Sequence, residues 1–194
     1  MPALTKKRRF SHDEYLALEE TAEYRSEYVN GYTFKMAGGT EAHIQISFNV
    51  TRLFAEKLRG KCRAYQSDMK VWVERANAFY YPDVTVVCGA RQFHRDRRDI
   101  VENPILLVEV LSKSTEEYDK NDKFFIYQNI ESFKEYVLIA QNKPVVQQYI
   151  RQPDGNWKIK ATIGIGSQVY FESVDAEASL EEIYDLVEFT EENL

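Results

Sequence analysis

The apolar run from Ile105 to Leu111, with the sequence ILLVEVL, constrains the fold of this chain more than any other segment. Such a nearly unbroken aliphatic run is typical of a strand buried on both faces, so we expect it to be a central strand of a sheet. Glu109 interrupts the run. A carboxylate in these surroundings costs several kcal/mol unless it is paired, protonated or bound to a metal ion.

Two explanations of Glu109 stay open at this level. By itself, the acid is explained as well by a polar edge or a buried Lys or Arg partner as by a functional role. Asp83 favours function, because it follows Pro82 at the head of the strand DVTVVC and adds a second acid near a strand end. Two neighbouring carboxylates repel each other, and a hard divalent cation such as Mg²⁺ relieves that repulsion.

Local signals in the first third of the chain predict two helices and a hairpin. Ser11 and Glu14 form a capping-box pattern that opens a helix over residues 11–22. Asn30-Gly31 lies between two apolar segments, which predicts a β-hairpin. A second helical pattern covers residues 40–59, and its apolar side is expected to include Ile44 and Phe48.

The rest of the chain alternates between strands and helices. Residues 91–103 are predicted to be a long loop, residues 115–129 a helix with Phe124, Phe125 and Tyr127 inward, and SLEEIYDLV a short helix. Strands are predicted between them and up to the segment NWKIKATI. This order predicts an α/β fold with one mixed central β-sheet flanked by α-helices.

Length and charge bound the organisation of the chain. Its 194 residues suit one domain over residues 11–185, preceded by a basic extension, 1–10, and followed by an acidic tail, 186–194. The net charge is −6, and nine acidic and no basic residues fall in positions 172–194, so residues 1–171 carry +3. The chain has neither a membrane span nor a secretory h-region, and two cysteines suit buried thiols in a reducing compartment, so we expect a cytoplasmic protein.

An ordered set of motifs resembles the Uma-two family of endonucleases, a branch of the PD-(D/E)XK restriction-endonuclease-like superfamily. The resemblance covers roughly residues 11–184. Its pieces are the hairpin EYVNG at Glu27, a helical His43, the strand SDMKV at Ser67, Pro82-Asp83, EVLSKS from Glu109, and Asp119, Lys123 and Tyr127.

The resemblance implies a restriction-endonuclease-like fold and a Mg²⁺-dependent endodeoxyribonuclease, with Mn²⁺ as a substitute ion. Asp83 and Glu109 would hold the metal, with the Val110 carbonyl and Glu27 as further ligands. The superfamily's usual lysine position is Leu111 here, and Lys123 on the following helix would take over its catalytic role. Taken alone, Glu27 is explained equally well as a surface strand residue.

Further residues are candidates for supporting roles. Contacts to the nucleic acid are expected from the basic loop and the turn after the acidic strand, namely Arg91, Arg95, Arg97, Arg98, Ser112 and Ser114. Residues expected to support the site are His43, Lys70, Lys113, Asp119 and Tyr127.

Two functions remain open. DNA is the expected substrate, and the alternative is a nuclease-fold protein with weak or no cleavage that binds nucleic acid or protein. A homodimer and a protein contact of the acidic tail are expected, and a membrane contact is not. DNA sequence specificity and biological role are not determined by these motifs.

Overall fold

The computed structural model describes residues 8–113 and 115–189. Its helices are α1 (His12–Thr21), α2 (Glu41–Lys57), α3 (Glu116–Tyr118), α4 (Phe124–Tyr127) and α5 (Leu180–Ile183), and a π-helical turn (Asp119–Lys123) joins α3 to α4. Its strands are β1 (Ser26–Val29), β2 (Tyr32–Lys35), β3 (Cys62–Gln66), β4 (Lys70–Val73), β5 (Ala78–Tyr80), β6 (Val84–Cys88), β7 (Ile100–Val101), β8 (Leu106–Leu111), β9 (Glu135–Ala140), β10 (Val145–Arg151), β11 (Trp157–Ile163), β12 (Gln168–Phe171) and β13 (Ala176–Ser179).

These strands form three sheets in the described part of the chain. A six-stranded sheet has the order β11-β10-β9-β8-β6-β3, and a five-stranded sheet has the order β2-β1-β5-β4-β7. A third sheet pairs β12 with β13. Both large sheets are mixed, since β8 and β9 run parallel in one and β4 and β7 in the other. The α/β class is therefore confirmed. The expectation of one sheet is wrong, because the hairpin strands β1 and β2 form a separate sheet with β5, β4 and β7.

Helix caps and a hairpin turn form at the positions where the sequence motifs lie. Ser11 caps α1 in a capping box with Glu14. Asn30 and Gly31 have φ angles of 50° and 91°, the left-handed conformations that a tight hairpin turn requires. Thr40 caps α2 by accepting a hydrogen bond from the His43 backbone N–H.

The main core lies between α2 and the six-stranded sheet. Ile46, Val50 and Phe54 of α2 are buried there, at the spacing of one helix face. Ile44 and Phe48 were expected on that face, but they are 62% and 52% exposed. Phe125 is likewise 73% exposed and not inward. Apolar residues in a helix therefore did not identify its inner face by themselves.

The structure differs from the sequence-based expectations at three further places. The loop predicted over residues 91–103 contains β7, which pairs with β4. The sheet of β12 and β13 was not predicted. Cys62 and Cys88 are not free thiols but form a disulfide, since they face each other across β3 and β6. No helix within residues 8–113 and 115–189 has both the length and the apolar character that crossing a bilayer requires.

Candidate functional site

The antiparallel pairing of β6 with β8 brings the two predicted acids to one place. Val84 lies opposite Val108, so Asp83, just before β6, lies beside Glu109 of β8. The Val110 backbone N–H donates to Asp83 Oδ2 at 2.7 Å, which fixes the carboxylate against the strand. Glu109 is 3% exposed, as expected for a central strand with both faces covered. The Asp83 and Glu109 side chains therefore belong to the same site.

Lys123 lies among three carboxylates at this site. Its Nζ is 3.0 Å from Glu27 Oε1, 3.2 Å from Asp119 Oδ1 and 3.3 Å from Glu109 Oε1. All four of these side chains are less than a tenth exposed. One explanation of the buried Glu109 was a buried Lys or Arg partner, and Lys123 is that partner. Lys123 is also the residue that the family resemblance predicts to be catalytic.

The helix segment that carries Lys123 contains a π-turn. A π-turn holds one residue more than an ordinary helical turn and is frequent at functional sites. Here it spans Asp119–Lys123, and the buried Tyr136 hydroxyl donates to the Asp119 backbone carbonyl at 3.0 Å. A side chain that bonds to a helix carbonyl competes with the helical hydrogen-bond ladder. Tyr136 had no signal in the sequence beyond its place in an apolar strand.

Two further tyrosines connect the helix to the sheets. The Tyr127 hydroxyl donates to Glu109 Oε1 at 3.1 Å. The Tyr118 hydroxyl lies 3.2 Å from that of Tyr80 on β5. Tyr127 therefore does more than pack, because it supplies a hydrogen bond to the buried carboxylate.

The pKa values of Glu109 and Lys123 are both raised, although for different reasons. Burial raises the pKa of Glu109 well above its usual range, and Asp119 and Asp83 add to the rise while Lys123 opposes it. Burial alone would lower the pKa of Lys123, but the charges of Glu109, Glu27 and Asp119 raise it well above its usual value. The neighbouring carboxylates therefore favour the ammonium form of Lys123.

The site opens to solvent on the side of Asp83. The Asp83 and His43 side chains are 12% and 20% exposed, more than the members around Lys123. His43 Nε2 lies 2.9 Å from Asp83 Oδ1. The imidazole passes close to Gly39, where a Cβ atom would lie 2.9 Å from His43 Cδ2. Glycine at this position therefore leaves room for the contact between His43 and Asp83.

The donor set fits a hard divalent cation in kind. Glu27 Oε1 and Asp119 Oδ1 are buried and make no hydrogen bond of good geometry with any residue of 8–113 or 115–189, although both lie within ion-pair distance of Lys123. In the described residues, no three His, Cys, Asp or Glu side chains are gathered so that they could hold a metal ion. Mg²⁺ commonly takes only one or two carboxylates and completes its ligands with water and substrate phosphate. Asp83 and Glu109 supply two neighbouring carboxylates at this site.

Several predicted residues lie outside this cluster. Lys70 pairs with Asp99 at 2.9 Å, and Lys113 is exposed. Ser112 Oγ lies 2.9 Å from Thr115 Oγ1, and Ser114 falls outside the described residues.

The basic loop is largely engaged with the protein itself. Arg95 pairs with Asp13, and Arg97 pairs with Glu20 and Asp99. The guanidinium groups of Arg91 and Arg98 lie over the Phe93 ring. Arg91 and Arg98 therefore remain the better candidates in this loop for contacting phosphate.

Comparison with a solved structure shows the class of fold to which this site belongs. A crystal structure from Anabaena variabilis, described as a putative nuclease of a family of unknown function, superposes with a TM-score of 0.72. The match covers 89% of this chain and 96% of that chain at 17% sequence identity. The chain thus has a nuclease-like mixed α/β fold.

The family follows from the sequence match. Residues 12–182 match the Uma2 family, described as "Putative restriction endonuclease", and the chain belongs to that family. An uncharacterized protein of Synechocystis sp. is 33% identical over 159 residues, which cover 81% of this chain and 90% of that protein. A second uncharacterized protein of the same organism is 34% identical over 152 residues, covering 78% and 79% of the two chains.

Proposed function

We propose that this chain is a metal-dependent nuclease that hydrolyses phosphodiester bonds in DNA. One observation carries the proposal: the buried Lys123 ammonium, 3.3 Å from Glu109 Oε1, shares a site with the strand-end carboxylate of Asp83. A cation that stabilises charge on a phosphate, and carboxylates that hold a metal ion, are what phosphodiester hydrolysis requires. The family and the fold support the same conclusion.

The roles follow from burial and hydrogen bonding. Asp83 and Glu109 would hold Mg²⁺ or Mn²⁺, with the Val110 carbonyl and Glu27 as further candidate ligands. When bound, the metal ion stabilises charge on the phosphate and activates a water molecule. Lys123 donates hydrogen bonds to a non-bridging phosphate oxygen, since its ammonium has three donors and no acceptor. Tyr127 orients Glu109, and His43 orients Asp83 on the open side of the site.

DNA would approach from the side where the His43 and Asp83 side chains are partly exposed. The chain's net charge of −6 opposes this approach, so local basic groups must contribute to binding. Arg91 and Arg98 are the proposed phosphate contacts of the basic loop, and Ser112 and Ser114 those of the turn after β8. Binding should weaken steeply with added salt.

A plasmid-nicking assay with Mg²⁺ tests this function. Asp83→Asn, Glu109→Gln and Lys123→Met should each reduce cleavage by at least about a hundredfold, the usual scale for loss of one catalytic group. Glu135→Gln is the matched control, because Glu135 is a fully buried acid on the neighbouring strand β9 that lies outside the site. Equal activity of all variants and wild type would refute the proposal.

One observation favours a binding protein without robust cleavage as the second candidate. Lys123 already balances the carboxylates, and Leu111 stands at the usual lysine position. This candidate predicts DNA binding that is unchanged by EDTA and no nicking at any Mg²⁺ concentration. The nuclease predicts cleavage that EDTA abolishes.

Location and tail contacts stay predictions. The Cys62–Cys88 disulfide removes the argument from free thiols for a reducing compartment. Residues 190–194 of the acidic tail lie outside the described residues, as do residues 1–7 of the basic extension.

A further inference from the structure

Strand β11 ends the six-stranded sheet with an open edge. It spans Trp157–Ile163 and pairs with β10 over all seven residues. In the described part of the chain no strand pairs with its other side. An edge of this length presents unpaired backbone N–H and C=O groups that can bond to another strand.

The side chains of β11 are apolar on one face of the sheet and basic on the other. Ile159 and Ile163 are 65% and 68% exposed, and Ala161 lies between them. Ile165, just beyond the strand, is 43% exposed. Large apolar side chains this exposed and this close together are typical of a surface that contacts another molecule.

The lysines of β11 do not block a second strand. Charged residues on an edge strand often prevent sheet-to-sheet association. Lys158 is already paired with Glu172 at 2.9 Å. Lys160 would oppose itself only in a pairing centred on residue 160, and like charges directly opposite each other are destabilising.

We propose that β11 pairs antiparallel with β11 of a second copy of this chain, in a register centred on Ala161. In this register Ile159 faces Ile163 of the second copy, Ala161 faces Ala161, and Lys160 faces Thr162. The two-fold symmetry repeats each contact, as in other symmetric dimers with self-complementary interfaces. The two six-stranded sheets become one continuous sheet.

The neighbouring strand extends the apolar contact. Ile159 pairs with Tyr149 of β10, and Ile163 pairs with Val145. Tyr149 and Val145 are both half-buried in a single chain. In the dimer, Tyr149 and Ile159 of one copy therefore lie in one row with Ile163 and Val145 of the second copy. This row contains no charged residue. This inference is independent of the proposed nuclease function.

Sedimentation equilibrium of the full chain tests the dimer and its register. Wild type should have twice the chain mass of 22.7 kDa at micromolar concentration. Ile159→Lys or Ile163→Glu alone should weaken the dimer by roughly tenfold or more, because each places an unpaired charge against isoleucine twice. The double variant should regain much of the wild-type affinity, since Lys at 159 then faces Glu at 163 of the second copy.

Ile44→Lys is the matched control, because Ile44 is an isoleucine of similar exposure, 62%, on α2. It should leave the dimer unchanged. A monomeric wild type would overturn the proposal and leave β11 to a different partner. Single variants that dimerise like wild type would overturn the use of β11. If both single variants are monomeric and the double variant is too, the register centred on Ala161 is wrong.

Discussion

Replacing Lys123 by methionine tests most directly how the buried charges are balanced. Lys123→Met keeps most of the side-chain volume, so loss of packing is small. The substitution removes an ammonium that lies 3.0 to 3.3 Å from Glu27 and Glu109. Among the residues that the structure describes, no other cation pairs with these carboxylates, so both would lose their ionic partner. Breaking a buried ion pair from one side typically costs about 3–5 kcal/mol of unfolding free energy at neutral pH.

The cost should depend on pH in a definite direction. Burial already raises the pKa values of Glu109 and Glu27, and removal of Lys123 raises them further. A carboxyl whose folded pKa is raised has its full stability below the unfolded pKa, near 4.5, and loses it as pH rises through the folded pKa. The stability gap between wild type and Lys123→Met should therefore shrink below pH 4.5 and widen toward neutral pH.

Urea denaturation of both proteins across this pH range measures the gap. Lys57→Met is the control, because Lys57 also pairs with a glutamate, Glu182 at 3.2 Å, but is 35% exposed, where an ion pair contributes less than about 1 kcal/mol. A gap at neutral pH no larger than that of the control would refute the reasoning, as would a gap that does not change with pH.

Three further predictions concern the site's support and the core. Tyr136→Phe removes the hydroxyl that donates to the Asp119 carbonyl, so hydrogen exchange of the π-turn amides, measured by NMR, should accelerate about tenfold. Unchanged exchange would contradict this prediction. Gly39→Ala places a Cβ where His43 now lies, so a crystal structure should show the distance from His43 Nε2 to Asp83 lengthened beyond 2.9 Å; an unchanged contact would contradict this. Burial raises the pKa of Glu135, so wild-type stability relative to Glu135→Gln should be greatest below pH 4.5 and decline at higher pH in thermal melts; a flat difference would contradict this.

The sequence alone determined the residues that carry charge into the core. Glu109 stood out because aliphatic neighbours on both sides predicted burial, and the buried strand β8 confirms that prediction. The caps and the hairpin turn could also be predicted, because each depends on a few adjacent residues. The family motifs added Lys123, which spacing from Glu109 alone could not single out.

Only the tertiary structure decided how these groups meet. Asp119 and Lys123 are four residues apart in one π-turn, but whether Glu27 meets Lys123 depends on how the hairpin packs against that turn, and these two segments are far apart in sequence. The same holds for the Cys62–Cys88 pairing, which needs β3 beside β6, and for the outward positions of Ile44 and Phe125. Adjacent residues determine caps, turns and secondary structure. Which side chains then contact one another depends on packing between segments that are distant in sequence.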